Sequence, residues 1–243
     1  MMLKNKTILV TGGSSGIGRA TVRMLAQKGY RVYFTYRNDK SAEQTSTLVM
    51  KDGVVSFPVK CDIADIDAST KMIDKIFRET GEIYGLVNCA GISNTKAIEE
   101  IDEKEWNEML DTNLKGTFFL MQAAYGYMKR QNNGRIVTLT SIAGQRGGFF
   151  SGAHYCASKA GLEAIMKCFA LCGAQYGVHS NAVSPGVVDT PMTRKEGVTT
   201  EGIPLKRAAV PEEVASVITF LLSADAEYIN GTTIDVNGGQ LMR

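Results

Sequence analysis

The sequence carries almost no net charge. Its 27 basic and 25 acidic residues leave +2 and are interspersed along the 243-residue chain. Binding to nucleic acid or a membrane surface needs a basic face, so this balance argues against both. Long apolar runs are absent too, and none approaches the roughly 20 residues of a membrane span. The opening Met1-Met2-Leu3-Lys4-Asn5-Lys6 lacks a signal-peptide core and leads straight into an apolar stretch. Five cysteines (Cys61, Cys89, Cys156, Cys168, Cys172) are an odd count with no framework spacing, so disulfides are not indicated. Cys168 and Cys172 stand four apart, but no histidine or acidic cluster joins them, and no metal site is expected. No Pro-, Ser- or Gly-rich linker and no internal repeat divides the chain. What remains is a cytoplasmic globular protein, and its hydrophobic fraction of 44% suits a full core.

Short apolar, β-branched runs alternate with helical patterns. Strands are predicted over residues 7–10, 31–36, 54–61, 85–88, 135–140, 179–183 and 232–236. Helices are predicted over residues 17–28, 40–51, 68–79, 103–130, 152–176 and 211–223. Nearly continuous apolar strands between amphipathic helices indicate a parallel sheet covered on both faces. The expectation is one doubly wound α/β domain spanning residues 1–243, with seven strands. Ligands of such sheets bind beyond the carboxyl ends of the strands, where strand order reverses, so the loops after each strand carry the functional information.

The first such loop is Val10-Thr11-Gly12-Gly13-Ser14-Ser15-Gly16-Ile17-Gly18. Gly12, Gly16 and Gly18 permit a tight turn and close approach of backbone to a pyrophosphate. The helix that begins in this run then offers free N–H groups and the positive end of its dipole. The second strand ends in Thr35-Tyr36-Arg37-Asn38, without the carboxylate that binds the ribose 2′-hydroxyl of NAD. Arg37 is placed to pair with a 2′-phosphate, so NADP(H) is the expected cofactor. Further on, Tyr155 and Lys159 lie four apart on a predicted helix and share a face. A neighbouring ammonium favours the phenolate, so the pair reads as a tuned acid or base.

With these motifs in order, the chain resembles the short-chain dehydrogenase/reductase family over essentially its whole length. The resemblance rests on Thr11-Gly12-x-x-x-Gly16-x-Gly18, Cys61-Asp62-Ile63, Asn88-Cys89-Ala90-Gly91, Asn113, Ser141, Tyr155-x-x-x-Lys159 and Pro185-Gly186 followed by Thr190. It implies a Rossmann-type domain, with a cofactor half over residues 1–140 and a catalytic and substrate half over residues 141–243. Gly12, Ser14, Ser15, Gly16, Ile17 and Gly18 would hold the pyrophosphate, and Asp62 and Ile63 would flank the adenine. Asn88, Ala90 and Gly91 would line the cofactor path; Pro185, Gly186, Val188 and Thr190 would contact the nicotinamide. Asn113, Ser141, Tyr155 and Lys159 would form the catalytic tetrad. In it Tyr155 passes a proton to or from the substrate oxygen and Ser141 bonds that oxygen. Lys159 lowers the Tyr155 pKa and bonds the nicotinamide ribose, while Asn113 holds a water on the route to Lys159.

Among members of the family, the features Asn113-Leu114-Lys115-Gly116-Thr117, Ser184-Pro185-Gly186 and Val236-Asn237-Gly238-Gly239 resemble the 3-oxoacyl-acyl-carrier-protein reductases. The substrate that this implies is a 3-oxoacyl thioester, with an acyl carrier protein as partner and a homotetramer as the assembly. No base stands in Phe169-Ala170-Leu171-Cys172-Gly173, where those reductases carry a docking arginine, and Lys129 and Arg130 are the remaining basic candidates. Residues 187–203 are expected to form a mobile lid, with Phe149, Phe150 and Met192 as apolar pocket walls. His154, beside Tyr155 but on another helix face, is expected to pack or line the pocket, and His179 to be structural.

Overall fold

The computed structural model describes residues 5–148 and 151–243. Seven strands form one sheet: β1 (Thr7–Thr11), β2 (Arg31–Tyr36), β3 (Ser56–Lys60), β4 (Gly85–Asn88), β5 (Gly134–Leu139), β6 (Val178–Pro185) and β7 (Thr233–Val236). Their order is β3-β2-β1-β4-β5-β6-β7 and every pairing is parallel. Successive strand residues point to opposite faces, and here both faces are apolar. Ile8, Val10, Val32, Phe34, Val87 and Val137 face one side and pack with Val22, Leu25, Val214 and Ile218. Those partners come from helices α1 (Gly16–Gln27) and α9 (Pro211–Leu221). Leu9, Tyr33, Leu86 and Ile136 face the other side, against Ile73, Ile76, Leu120, Met121 and Met128. The latter belong to α3 (Ile66–Thr80) and α5 (Thr117–Gln131). The remaining helices are α2 (Asp39–Lys51), α4 (Glu103–Leu110), α6 (Ile142–Arg146), α7 (Ala153–Gly173) and α8 (Pro191–Lys195).

Three boundaries depart from the sequence pattern, each for a physical reason. The single helix predicted over 103–130 is α4 and α5 joined by a π-helical stretch, Asp111–Gly116. Gly116 there presses on the Ile63 carbonyl, and a Cβ in its place would stand 2.3 Å from that oxygen. Apolar periodicity is blind to such a one-residue widening, which is commonly found at functional sites. Strand β3 is shorter than predicted and contains Pro58, paired in register with Phe34. That is tolerable because β3 is an edge strand, where the missing N–H faces no partner. Strand β6 is longer than predicted, extending to Pro185. The chain runs outward from β1 through β2 to β3, then crosses to β4 on β1's other side, so strand order reverses between β1 and β4. The loops at that switch point hold the site.

Candidate active site

Strand β1 ends in Thr11, whose hydroxyl accepts from the backbone N–H groups of Cys89 (3.1 Å) and Ala90 (3.0 Å). This ties the glycine loop to the end of β4. On the other side the Gly12 N–H donates to Thr35 Oγ1 (3.0 Å), which ties the loop to β2. Between these anchors the backbone is crowded. Gly12 sits at φ +63°, and a Cβ there would lie 2.9 Å from the Ala90 Cα. At Gly18 an added Cβ would meet the Gly12 carbonyl at 2.3 Å. Glycine is thus required for the loop to close over the start of α1, whose first N–H groups then open on solvent.

A cleft of about 320 Å³ runs past that helix start. Gly12, Ser14, Ser15, Gly16, Ile17 and Gly18 line it on one side; Arg37, Asp62, Ile63, Ala90, Gly91 and Thr190 line the rest. The residues present fit a dinucleotide: the cradle is bare backbone, and the helix N-terminus favours an anion. The Arg37 guanidinium stands exposed at the cleft's far end, 3.5 Å from the Asp62 carboxylate. Beside it Asn38 caps α2 by accepting from the Ser41 N–H, and both residues also line the cleft. Asn88, by contrast, does not reach the cleft. Its side chain is buried in the sheet and donates to Thr138 Oγ1 on β5, so the residue braces β4 against β5.

A second cavity of about 100 Å³ continues the first, and Cys89, Gly91, Leu139, Thr190 and Met192 line both. Ser141, Tyr155, Lys159, Pro185, Gly186 and Val188 converge on it. Ser141 caps α6, its hydroxyl accepting from the Ala143 N–H. Tyr155 and Lys159 project from one face of α7, as four-residue spacing requires. The Lys159 ammonium donates to the Leu139 carbonyl at 3.0 Å. Burial pushes it down to about 8, and it pushes the Tyr155 phenol up to about 12; the neighbouring Ser141 hydroxyl pulls the phenol back. The expected lowering of Tyr155 by Lys159 is therefore not what the fold produces: desolvation of the phenolate is the largest effect, and the one lowering influence on it is the Ser141 hydroxyl.

Asn113 has a bracing role in the structure. Its carboxamide accepts from the Ile92 N–H at 2.8 Å and donates to the Ile92 carbonyl at 2.9 Å and to Ser158 Oγ at 3.2 Å. Fully buried and so occupied, the side chain pins the loop after β4. Cys89 faces Lys159 in the shared wall, but burial pushes its thiol up to about 12 and it stays neutral. His154 is buried, with Nε2 3.1 Å from Asn94 Nδ2 and its ring stacked on Trp106. It packs, as expected. His179 contacts Arg135 on the neighbouring strand, far from the cleft. Residues 191–195 of the expected lid are helical (α8), held by a Thr190–Thr193 capping box. Phe149 and Phe150 lie outside the described residues, whereas Met192 does line the pocket. Lys129 and Arg130 end α5 at the entry to β5, opposite the cleft, and lie over the rings of Tyr176 and Tyr127.

Sequence reasoning passed over the segment Ile92-Ser93-Asn94. Its neighbour Asn88-Cys89-Ala90-Gly91 stands out by its glycine, but nothing in the local pattern marks Ile92 as a residue of the pocket wall. Thr11 was read only as part of a glycine motif; its hydroxyl is what joins two strand ends.

Over residues 12–240 the chain matches the family described as enoyl-(acyl carrier protein) reductase. The 3-oxoacyl-(acyl-carrier-protein) reductase FabG of Staphylococcus epidermidis is 39% identical, covering 98% of this chain and 100% of its own length. The reductase of the same name from Escherichia coli K12 is 36% identical over the whole of both chains. A short-chain type dehydrogenase/reductase from Mycobacterium marinum superposes with a TM-score of 0.95 at 30% identity, covering 99% of this chain and 97% of that one. Levodione reductase does so at 0.92 and 29%, covering 98% of each. Fold and relatives together define an oxidoreductase that works with a nicotinamide cofactor. The chain belongs to the short-chain dehydrogenase/reductase family. Among the described residues no helix is long and apolar enough to cross a membrane.

Proposed function

We propose that the protein is an NADPH-dependent carbonyl reductase acting on a 3-oxoacyl thioester. The observation that carries this reading is the continuity of the two cavities. One end is the glycine cradle with Arg37, the other is Ser141, Tyr155 and Lys159, and Cys89, Gly91, Leu139, Thr190 and Met192 line both cavities. Arg37, with Ser41 and Asn38 at the start of α2, suits a 2′-phosphate. NADPH, when bound, supplies the hydride. The chain's own residues supply position and protons. Ser141 orients the carbonyl oxygen, and Tyr155, neutral at physiological pH because burial raises it, donates the proton. Lys159, held against the Leu139 carbonyl, offers its remaining donors towards the cleft. The near-full-length likeness to two reductases of 3-oxoacyl-carrier proteins supports the thioester as substrate and an acyl carrier protein as donor. Such a partner would reach the cleft mouth without Lys129 and Arg130. A homotetramer is the assembly we expect, and a single domain across residues 1–243 the unit.

Steady-state rates with 3-oxoacyl, 2-enoyl, cyclic-ketone and glucose substrates, each with NADPH and NADH, test the reading. Preference for the 3-oxoacyl thioester with NADPH is the expected result. A preference for glucose, or for NADH, would overturn the corresponding part.

A further inference from the structure

Close to the substrate cavity stands a carboxylate that the catalytic scheme does not use and whose charge reaches the Tyr155 phenol. Met192 and Thr193 line the cavity from α8. Glu196 follows at the end of this helix, four residues after Met192 and three after Thr193, and so shares their face. Ser93, next to the cavity-lining Ile92, donates through Oγ to the Glu196 carboxylate. Ser93 is not free to follow that carboxylate elsewhere. On one side Ile92 is bonded through both its N–H and its carbonyl to Asn113. On the other, the Asn94 carbonyl accepts from the Gly152 N–H at 3.0 Å, and its amide meets His154. Gly152 and His154 stand three and one residues before Tyr155 in the chain. The Ser93–Glu196 bridge is thereby held beside the pocket of the reactive phenol, joined to two segments, Ile92 and Met192–Thr193, that line it.

We propose that Glu196 is a specificity residue: its carboxylate excludes substrates that carry a negative charge close to the carbonyl, and admits neutral esters and thioesters. The inference rests on Tyr155 being the residue that meets the carbonyl. Among the described residues lining the cavity, only Lys159 bears a charge, and it lies at the inner end behind the phenol. A free 3-oxo acid seated with its ketone at Tyr155 and its carboxylate outward would bring two like charges together beside the pocket. In a partly desolvated site such a contact costs much more than in water. The same site would accept an amide N–H of a thioester's arm, which replaces the Ser93 donor without loss. Glu196 already acts on this pocket, since its charge contributes to raising the Tyr155 phenol, behind the larger effect of burial.

The test compares acetoacetate with its neutral ethyl ester. Calorimetric titration into the protein saturated with NADP+ reads binding without turnover, and steady-state rates with NADPH give the parallel ratio of kcat/KM. The wild type should favour the ester by about tenfold or more on both measures. Glu196→Gln should narrow that ratio to about threefold or less, mainly by gaining affinity for the acid. Ser93→Ala, which frees the carboxylate to swing into solvent, should narrow it in part and decides the matter if Glu196→Gln does not fold. Lys195→Gln, a neighbouring exposed change of charge, should leave the ratio alone. An ester-to-acid ratio unmoved in both site variants, with ester still reduced, overturns the specificity role only. Failure of the wild type to bind or reduce either ketone overturns the carbonyl-reductase reading and this inference with it.

Discussion

The Lys159 ammonium lies 5.7 Å from the centroid of the Tyr155 ring and donates to the Leu139 carbonyl at 3.0 Å. The cation thus meets the phenol across its ring while being held by the end of β5. Both groups are buried, and burial favours the neutral form of each, raising one and lowering the other. In the scheme proposed here the pair enters reduction as a neutral phenol beside a marginal ammonium, well suited to giving up a proton.

Replacing Tyr155 with Phe removes the donor and keeps the ring. Ketone reduction should fall by about 10²–10⁴-fold, the usual worth of a positioned acid, while the dissociation constant for NADPH stays within about threefold. Stopped-flow turnover and a fluorescence titration check the two halves. Undiminished turnover would remove Tyr155 from the mechanism.

Lys159 gives a stability prediction of known sign. Its pKa falls from 10.5 when free to about 8 in the fold, so between those values the unfolded chain binds the proton and the folded chain does not. Stability from this group therefore rises with pH across that window, and the penalty is fully present below about pH 8. The penalty is roughly 3 kcal/mol, offset in part by the bond to Leu139. Lys159→Met should raise the melting temperature at pH 7 by a few degrees, abolish turnover, and lose its advantage towards pH 10. A melting temperature lower than that of the wild type at pH 7 would contradict this account.

Arg37 is exposed, so its contribution is electrostatic and open to screening. Arg37→Ala should weaken NADPH by about 10- to 100-fold, leave NADH within about threefold, and flatten the salt dependence of NADPH affinity. Asp62, 3.5 Å away, competes for the guanidinium. Asp62→Asn should accordingly tighten NADPH at low ionic strength. Equal losses for both cofactors in Arg37→Ala would deny the 2′-phosphate contact.

Asn113 holds both backbone groups of Ile92 from a fully buried position. Asn113→Ala leaves those groups unpaired and should cost roughly 2–4 kcal/mol, a melting shift of about 5–10 °C for a chain of this size. Activity should fall through a raised KM for the ketone as well as a lowered kcat, because Ile92 lines the substrate cavity. An unchanged melting temperature would show that the loop is held otherwise.

Much of the molecule was legible in the linear chain. Strand and helix alternate in apolar pattern, and glycines 12, 16 and 18 stand where only a bare backbone can pass. Arg37 falls at the end of the second strand, and Tyr155 and Lys159 are related by helical spacing alone. These are local properties: periodicity, steric permission and charge act on neighbours within a few residues, so sequence order determines them. The tertiary structure decided what depends on surroundings. Asn88 could be assigned to the cleft from its motif, yet its side chain turns to Thr138 because β5 lies beside it. Asn113 stands out in the sequence only by its motif, and it is the arrival of the loop after β4 that engages its carboxamide with both backbone groups of Ile92. The widened turn at 111–116 brings Gly116 against the Ile63 carbonyl, a contact between distant segments that local spacing does not encode. The acidity of Tyr155 is set by how much protein encloses it and by the Ser141 hydroxyl and Glu196 carboxylate near it, and spacing encodes none of these. Dielectric environment and long-range contact belong to the folded state, which is why the residues of the site could be named from the sequence while their charges, bonds and the carboxylate beside the pocket could not.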